Sequence, residues 1–364
     1  MTKLGIFPHP PFHHVRISKY LRAEINKPYS MYTRLCAALL GTLATASLSA
    51  QEKYTNPVFD RDTPDPTVVR AADGTFYAYG TGGTCRKSTD LVHWSDEGTA
   101  LERPTWNDTI RTDKDGKQHP MRFSLWALDV SRVKRDKYLV YYASAFWGNE
   151  TRTGLGVATG DSPTRFSDCG KMFRSTEIGV QNSIDPCYVE DKGRKYLLWG
   201  SFSGLYLSRL SKDGMRLKDA QDKTQVAGKA FEGAMVYKRG GYYYLFASVG
   251  TCCEGASSTY RTVVGRSRHL AGPYVDKKGG RMLDNHYETI LSGNDRWRGP
   301  GHNSEIVTDD AGQTWMLYHA YDANDPGKGR VMLLDKLVWD REGWPAVEGG
   351  TPSTTPQDAP VFKK

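Results

Sequence analysis

The sequence predicts an all-β chain folded as a five-bladed β-propeller in a single domain. Three observations carry that reading. One pattern recurs five times at intervals of about fifty to seventy residues, strands crowded with aromatic β-formers follow Gly/Asp turns in each copy, and no long amphipathic helix interrupts them.

Each copy opens on a polar anchor, continues as an apolar strand, turns, and enters a strand heavy in Tyr, Phe or Trp. The first runs from Asp65 through Thr67-Val68-Val69, turns at Asp73-Gly74 and continues Phe76-Tyr77-Ala78-Tyr79. The second opens at Asp129, turns near Arg135-Asp136 and continues Tyr138-Leu139-Val140-Tyr141-Tyr142. Asp185 opens the third, with the turn Asp191-Lys192-Gly193 before Tyr196-Leu197-Leu198-Trp199. Glu232 opens the fourth, with Arg239-Gly240-Gly241 before Tyr242-Tyr243-Tyr244-Leu245-Phe246. The fifth starts near His302, turns at Asp309-Asp310-Ala311-Gly312 and continues Trp315-Met316-Leu317-Tyr318.

In a propeller the innermost strand of each blade lines a central channel, so anchors at the heads of equivalent strands converge at one end of it. Four of the five anchors are carboxylates. A lone Asp at a strand start more often caps a loop. Repetition reverses that balance, because like charges a few ångströms apart resist joint ionisation and folding alone gains nothing by gathering them. Asp129 is the weakest member and reads as structural.

At 364 residues the chain exceeds the usual domain size, yet closed all-β folds reach this length as one unit. Its net charge of +8 suggests an anionic partner, but the distribution argues otherwise. Residues 1–50 hold six Lys/Arg against one acid, leaving 43 basic and 40 acidic groups, a balance of +3, in residues 51–364. No run of like charge there could track a phosphate backbone, so nucleic acid is set aside.

Residues 31–50 read as a signal peptide: Arg34 flanks an apolar run through Leu35–Ala46, and Ser47-Leu48-Ser49-Ala50 ends it. That makes Met31 the expected start, residues 1–30 an upstream extension of the reading frame, and residues 51–364 the mature domain. The run is too short for a permanent membrane anchor. The leader implies a secreted or periplasmic protein. Five Cys follow it, Cys85, Cys169, Cys187, Cys252 and Cys253, so at least one stays unpaired. An adjacent Cys252–Cys253 disulfide and free buried thiols are both open readings, and none has zinc-site spacing.

Thr63-Pro64-Asp65-Pro66, Asn182-Ser183-Ile184-Asp185-Pro186 and Phe231-Glu232-Gly233-Ala234 resemble the three catalytic motifs of glycoside hydrolase family 43, in particular its arabinanases. Trp126-Ala127-Leu128-Asp129-Val130, the loop Gly250-Thr251-Cys252-Cys253-Glu254-Gly255 and Gly299-Pro300-Gly301-His302-Asn303 are similar to the same group, over about residues 56–350. The resemblance implies an inverting hydrolase of α-1,5-linked arabinan or arabino-oligosaccharides, with Asp65 as general base, Glu232 as general acid and Asp185 tuning the acid's pKa. Inversion needs base and acid roughly 6.5–9.5 Å apart, to leave room for water. The resemblance further implies a calcium ion in the channel, held by His302 and waters, although imidazole is an unusual ligand for so hard a cation.

Trp126 and Trp147 are the expected sugar platform, and Phe146, Asn182 and Ser201 the expected subsite lining. Trp94, in Asp90-Leu91-Val92-His93-Trp94, reads instead as core packing. Pro64 and Leu128 depart from the family pattern, which commonly has His before the first Asp-Pro and Pro before the second-blade Asp. They touch no proton-transfer group but lie where a substrate end would sit, leaving endo and exo action open. Alternatives are an exo-acting arabinofuranosidase or β-xylosidase on the same scaffold, and a non-catalytic carbohydrate-binding propeller. A monomer is expected, with no carbohydrate-binding module after Gly343-Trp344-Pro345.

Overall fold

The computed structural model describes residues 51–363, in which five antiparallel sheets repeat one plan. Blade I comprises Thr67–Arg70, Phe76–Gly80, Thr84–Ser88 and Ser95–Thr99; blade II comprises Ser124–Lys134, Lys137–Ala145, Gly154–Ser162 and Arg165–Arg174. Blade III comprises Cys187–Asp191, Arg194–Trp199, Leu205–Arg209 and Lys223–Ala227; blade IV comprises Glu232–Arg239, Tyr242–Val249, Arg261–Ser267 and Glu288–Leu291. In blade V the first strand is split into Trp297–Gly301 and Val307–Thr308, both paired to Thr314–Asp322, which leads to Arg330–Trp339 and Pro345–Val347. First strands of successive blades I to IV touch one another, so they ring the axis. The five-bladed propeller expected from the repeat is the observed fold. The extension and leader expected in residues 1–50 lie outside the described residues.

Local chemistry explains the hairpins. Lys192-Gly193 (φ 50° and 70°) and Gly240-Gly241 (φ 56° and 78°) take positive φ at both turn positions, the turn whose twist matches the flanking strands. The aromatic second strands then bury Tyr141, Trp199, Tyr244 and Tyr318 between neighbouring sheets. Each such side chain contributes about 2–3 kcal/mol of hydrophobic stabilisation.

The ring closes at the N-terminal segment. Lys53–Tyr54 pairs with Gln357–Asp358, the Tyr54 hydroxyl donates to the Leu334 carbonyl at 2.7 Å, and the Leu334 N–H donates to Asn56 at 2.9 Å. Tyr54, Phe76, Leu91, Trp315 and Leu334 cluster between blades I and V. Trp94 packs against this cluster with its indole N–H on the Leu91 carbonyl at 2.7 Å, the core role expected of it.

The register at the axis differs from the sequence reading in two blades. Asp65, Ala127, Asp185, Gly233 and His302 take positive φ (55°, 39°, 54°, 54° and 48°) beside or within the innermost strands. Relative to that series Glu232 lies one residue early and Asp129 two residues late. A break in strand register between Trp126 and Asp129 draws Asp129 deeper into the channel, and another between Glu232 and Met235 turns Glu232 toward its mouth.

Candidate active site

The left-handed turns aim side chains into the mouth of the channel before each strand descends. For a residue with a Cβ this conformation costs about 1–2 kcal/mol, a strain sustained at four of the five equivalent positions and also at Asn182 and Phe202 (φ 51° and 48°) around the same cavity. At the fifth, a Cβ on Gly233 would stand 2.9 Å from the His302 ring, so glycine answers both the φ and the space.

A cavity of about 410 Å³ opens at this end, lined by Asp65, Asp185, Glu232, His302 and Arg330 among others. The three carboxylates expected to meet do meet. Trp126, Phe146, Trp147 and Asn182 also line the cavity. Ser201 does not. It is fully buried behind the wall, where its hydroxyl donates to Glu232 Oε2 at 2.7 Å and accepts from Asn182 Nδ2 at 2.9 Å. Its position differs from the subsite lining expected of it: the hydroxyl meets the Glu232 carboxyl and not the open cavity.

Asp65 sits in a cationic cradle. Arg330 Nη1 donates to Oδ1 at 3.0 Å, the Thr81 hydroxyl to Oδ2 at 2.7 Å, and His302 Nδ1 lies 3.2 Å from Oδ1. Burial alone would raise the Asp65 pKa, but Arg330 and His302 overcome it and hold the carboxyl well below its ordinary range. The Asp65 backbone N–H donates to His319 Nδ1 at 3.0 Å, which fixes that nitrogen as an acceptor. Burial and the nearby Arg330 charge keep His319 neutral, its pKa well below the usual imidazole value.

Glu232 has the opposite environment. Burial and the Asp185 charge raise its pKa to about 7, against the lowering effect of the Ser201 hydrogen bond. Tyr260, buried and stacked on His319 with ring centroids 5.8 Å apart, faces Glu232, and its hydroxyl has no well-aligned partner. Asp185 is buried too, its pKa raised by desolvation, and its Oδ2 accepts the Gly233 N–H at 2.9 Å. One cavity therefore holds a carboxylate that stays ionised and a carboxyl that keeps its proton near neutrality, the division acid–base hydrolysis requires.

Burial lowers the pKa of His302, but Asp65 and Asp185 outweigh it and lift the imidazole to about 9. The site thus favours positive charge at this position, which suits a cation. Its donor set is sparse: among the described residues no three His, Cys, Asp or Glu side chains are grouped to hold a metal. A calcium ion here would have to displace the His302 proton to take the imidazole as a ligand, and the six to eight oxygens such an ion takes would come chiefly from water.

Asp129, read as structural, accepts the Tyr188 N–H at 2.9 Å and faces Glu305, whose carboxylate accepts from Thr67 and from the Val68 N–H at 2.8 Å. Arg330, His319, Thr81, Tyr260 and Phe202 were not legible as site residues. Only His319 carried a signal, an imidazole within the otherwise apolar run Trp315–Ala320. Cys252 and Cys253 form a disulfide at the cavity wall, while Cys85, Cys169 and Cys187 are free.

Comparison with known proteins agrees with this geometry. The model of glycosyl hydrolases family 43 matches residues 54–345. The chain is 36% identical to an extracellular exo-α-(1→5)-L-arabinofuranosidase of Cellvibrio japonicus, over 79% of this chain and 86% of that protein. It is 33% identical to an extracellular endo-α-(1→5)-L-arabinanase of Bacillus subtilis, over 86% of this chain and 94% of that protein. Among solved structures, the Cellvibrio cellulosa α-L-arabinanase complexed with arabinohexaose superposes with a TM-score of 0.68 at 31% identity, covering 79% of this chain and 95% of that one. With the match running through all five blades and the three carboxylates gathered in one cavity, the chain belongs to glycosyl hydrolases family 43 and is a glycosidase.

Proposed function

We propose that the protein is an inverting arabinan hydrolase that cleaves α-1,5-linked L-arabinofuranosyl bonds outside the cytoplasm. The observation that carries this reading is the opposite protonation of two carboxyls in one cavity, Asp65 held ionised by Arg330 and Glu232 held protonated to about pH 7. The arabinan-directed relatives support the substrate, and their extracellular names support export.

In the reaction Asp65 takes a proton from water as that oxygen attacks the anomeric carbon. Glu232 gives its proton to the departing glycosidic oxygen. Asp185 maintains the proton on Glu232 and braces the backbone after it. A calcium ion held by His302 would supply fixed positive charge to the site. Trp126, Phe146, Trp147 and Asn182 hold the chain.

Debranched linear arabinan digested by the protein tests this reading. Arabino-oligosaccharide products of inverted anomeric configuration are expected, and no hydrolysis of arabinan would overturn it. Exo action is the second reading, favoured by the arabinofuranosidase relative; a single small product from the first minutes, rather than a ladder, selects it.

A further inference from the structure

The loops between the second and third strands of blades II, III and IV all reach the cavity. Blade II contributes Phe146 and Trp147, blade III contributes Phe202, and all three rings are exposed. At the corresponding place blade IV contributes no exposed aromatic ring, its Tyr260 being buried, but the Cys252–Cys253 disulfide. Two sister loops thus present apolar faces to the cavity, and the third presents two bonded sulfurs, which are apolar, polarizable and have no proton to donate.

The blade IV loop is built to hold that disulfide in place. Thr251 and Thr259 clasp its base, each backbone N–H donating to the other's hydroxyl at 3.1 and 3.2 Å, and the Glu254 N–H donates to the Ser258 hydroxyl at 2.9 Å. Gly250 turns into the loop at φ 95°, where a Cβ would stand 2.6 Å from the Thr259 carbonyl oxygen. The loop's far stem carries Tyr260, the ring that faces Glu232. The sulfurs therefore keep a fixed position relative to the acid, across Phe202 from Trp147.

We propose that the Cys252–Cys253 disulfide is the plate on which a sugar of the bound chain packs, on the flank opposite Trp147, and that it sets substrate affinity without taking part in proton transfer. This rests on the arabinan-hydrolase reading. A furanose ring lays its C–H face on the sulfurs while its hydroxyls stay toward water. Opening the bond replaces one rigid apolar face with two independently rotating thiols.

Steady-state kinetics on linear arabino-oligosaccharides test the proposal, comparing the protein before and after treatment with a water-soluble phosphine and comparing a Cys252→Ala/Cys253→Ala variant. Cys85, Cys169 and Cys187 are already thiols, so among the described residues the reagent acts on this bond alone. Expected is a rise in KM of roughly three- to tenfold with kcat within about twofold, the same in the reduced protein and the variant, and no further effect of phosphine on the variant. An unchanged KM in protein shown by mass to be fully reduced overturns the proposal, as does a fall confined to kcat. Should the untreated protein cleave no arabino-oligosaccharide, the functional reading fails and this inference with it; cleavage with an unmoved KM sinks the inference alone. If the variant does not fold, the reduced wild-type protein still decides.

Discussion

The Asp185 carboxylate accepts a 2.9 Å hydrogen bond from the backbone N–H of Gly233, the residue that follows Glu232. One anion thereby acts on the acid twice, through its field, which raises the Glu232 pKa, and through the backbone that aims the side chain. Asp185→Asn removes the field and weakens the acceptor. The alkaline limb of kcat/KM, set by Glu232 near pH 7, should move to lower pH by about one unit, with a fall in rate at the optimum. A pH–rate profile from pH 4 to 9 measures both; an unmoved limb would remove Asp185 from its tuning role.

Ser201→Ala should move the same limb the other way. Its 2.7 Å hydrogen bond favours ionised Glu232, so losing it leaves the acid protonated to higher pH. The limb should rise by about half a unit while KM changes little, because the hydroxyl sits behind the cavity wall. A raised KM with an unmoved limb would return Ser201 to the sugar-contacting set.

Glu232→Gln should lower turnover of arabinan by about a thousandfold or more while leaving the fold intact, since the glycosidic oxygen of a natural polymer leaves poorly without a proton. Aryl arabinofuranosides with strongly acidic phenols depart as anions and should retain a larger share of the rate. Assays on both substrates, with circular dichroism of the variant, check this. Near-wild-type turnover of arabinan would strip Glu232 of its acid role.

What the sequence made legible was whatever repeats. Five copies of anchor, turn and aromatic strand define the blades and put carboxylates at four anchors; which three of those react, and in which roles, is what the resemblance to family 43 implies. The register at Asp129 and Glu232 was not legible, because each offset follows from a break in strand pairing that leaves no fixed residue signature. Arg330 was hidden for another reason. It begins a third strand after a surface turn, where an Arg ordinarily faces water, and the segment before Asp65 docks along this strand, the Thr63 N–H donating to the Arg330 carbonyl at 2.8 Å, which brings the guanidinium to Asp65. Ser201 lies beside the cavity in the chain, and the sequence could not say which side of the wall its hydroxyl faces.

Calcium is tested by removal. Protein dialysed against EDTA should lose most of its activity and recover it with calcium, and His302→Ala should recover little at any calcium concentration. His302 also stands 3.2 Å from Asp65, so the variant alone is ambiguous and the chelation result decides. Full activity in EDTA, with no residual calcium detected by elemental analysis, removes the ion from the reading.

Glu232 also makes a prediction about stability. Its pKa rises from an ordinary 4.5 to about 7 on folding, so the folded state binds the proton more tightly than the unfolded state. The resulting contribution is fully present below about pH 4.5 and is lost as pH climbs through 7. Above that, an ionised Glu232 is buried beside Asp185 and works against folding. Glutamine cannot ionise, so Glu232→Gln should gain thermal stability relative to wild type between pH 4.5 and 8, by several degrees at the upper end. Asp65 contributes in the opposite sense at acid pH, because its depressed pKa favours the fold above the normal aspartate range, and the difference between variant and wild type cancels it. Thermal melts of both proteins across this range should therefore diverge as pH rises; parallel curves would show that Glu232 keeps an ordinary pKa, and its assignment as the proton donor would lose its physical basis.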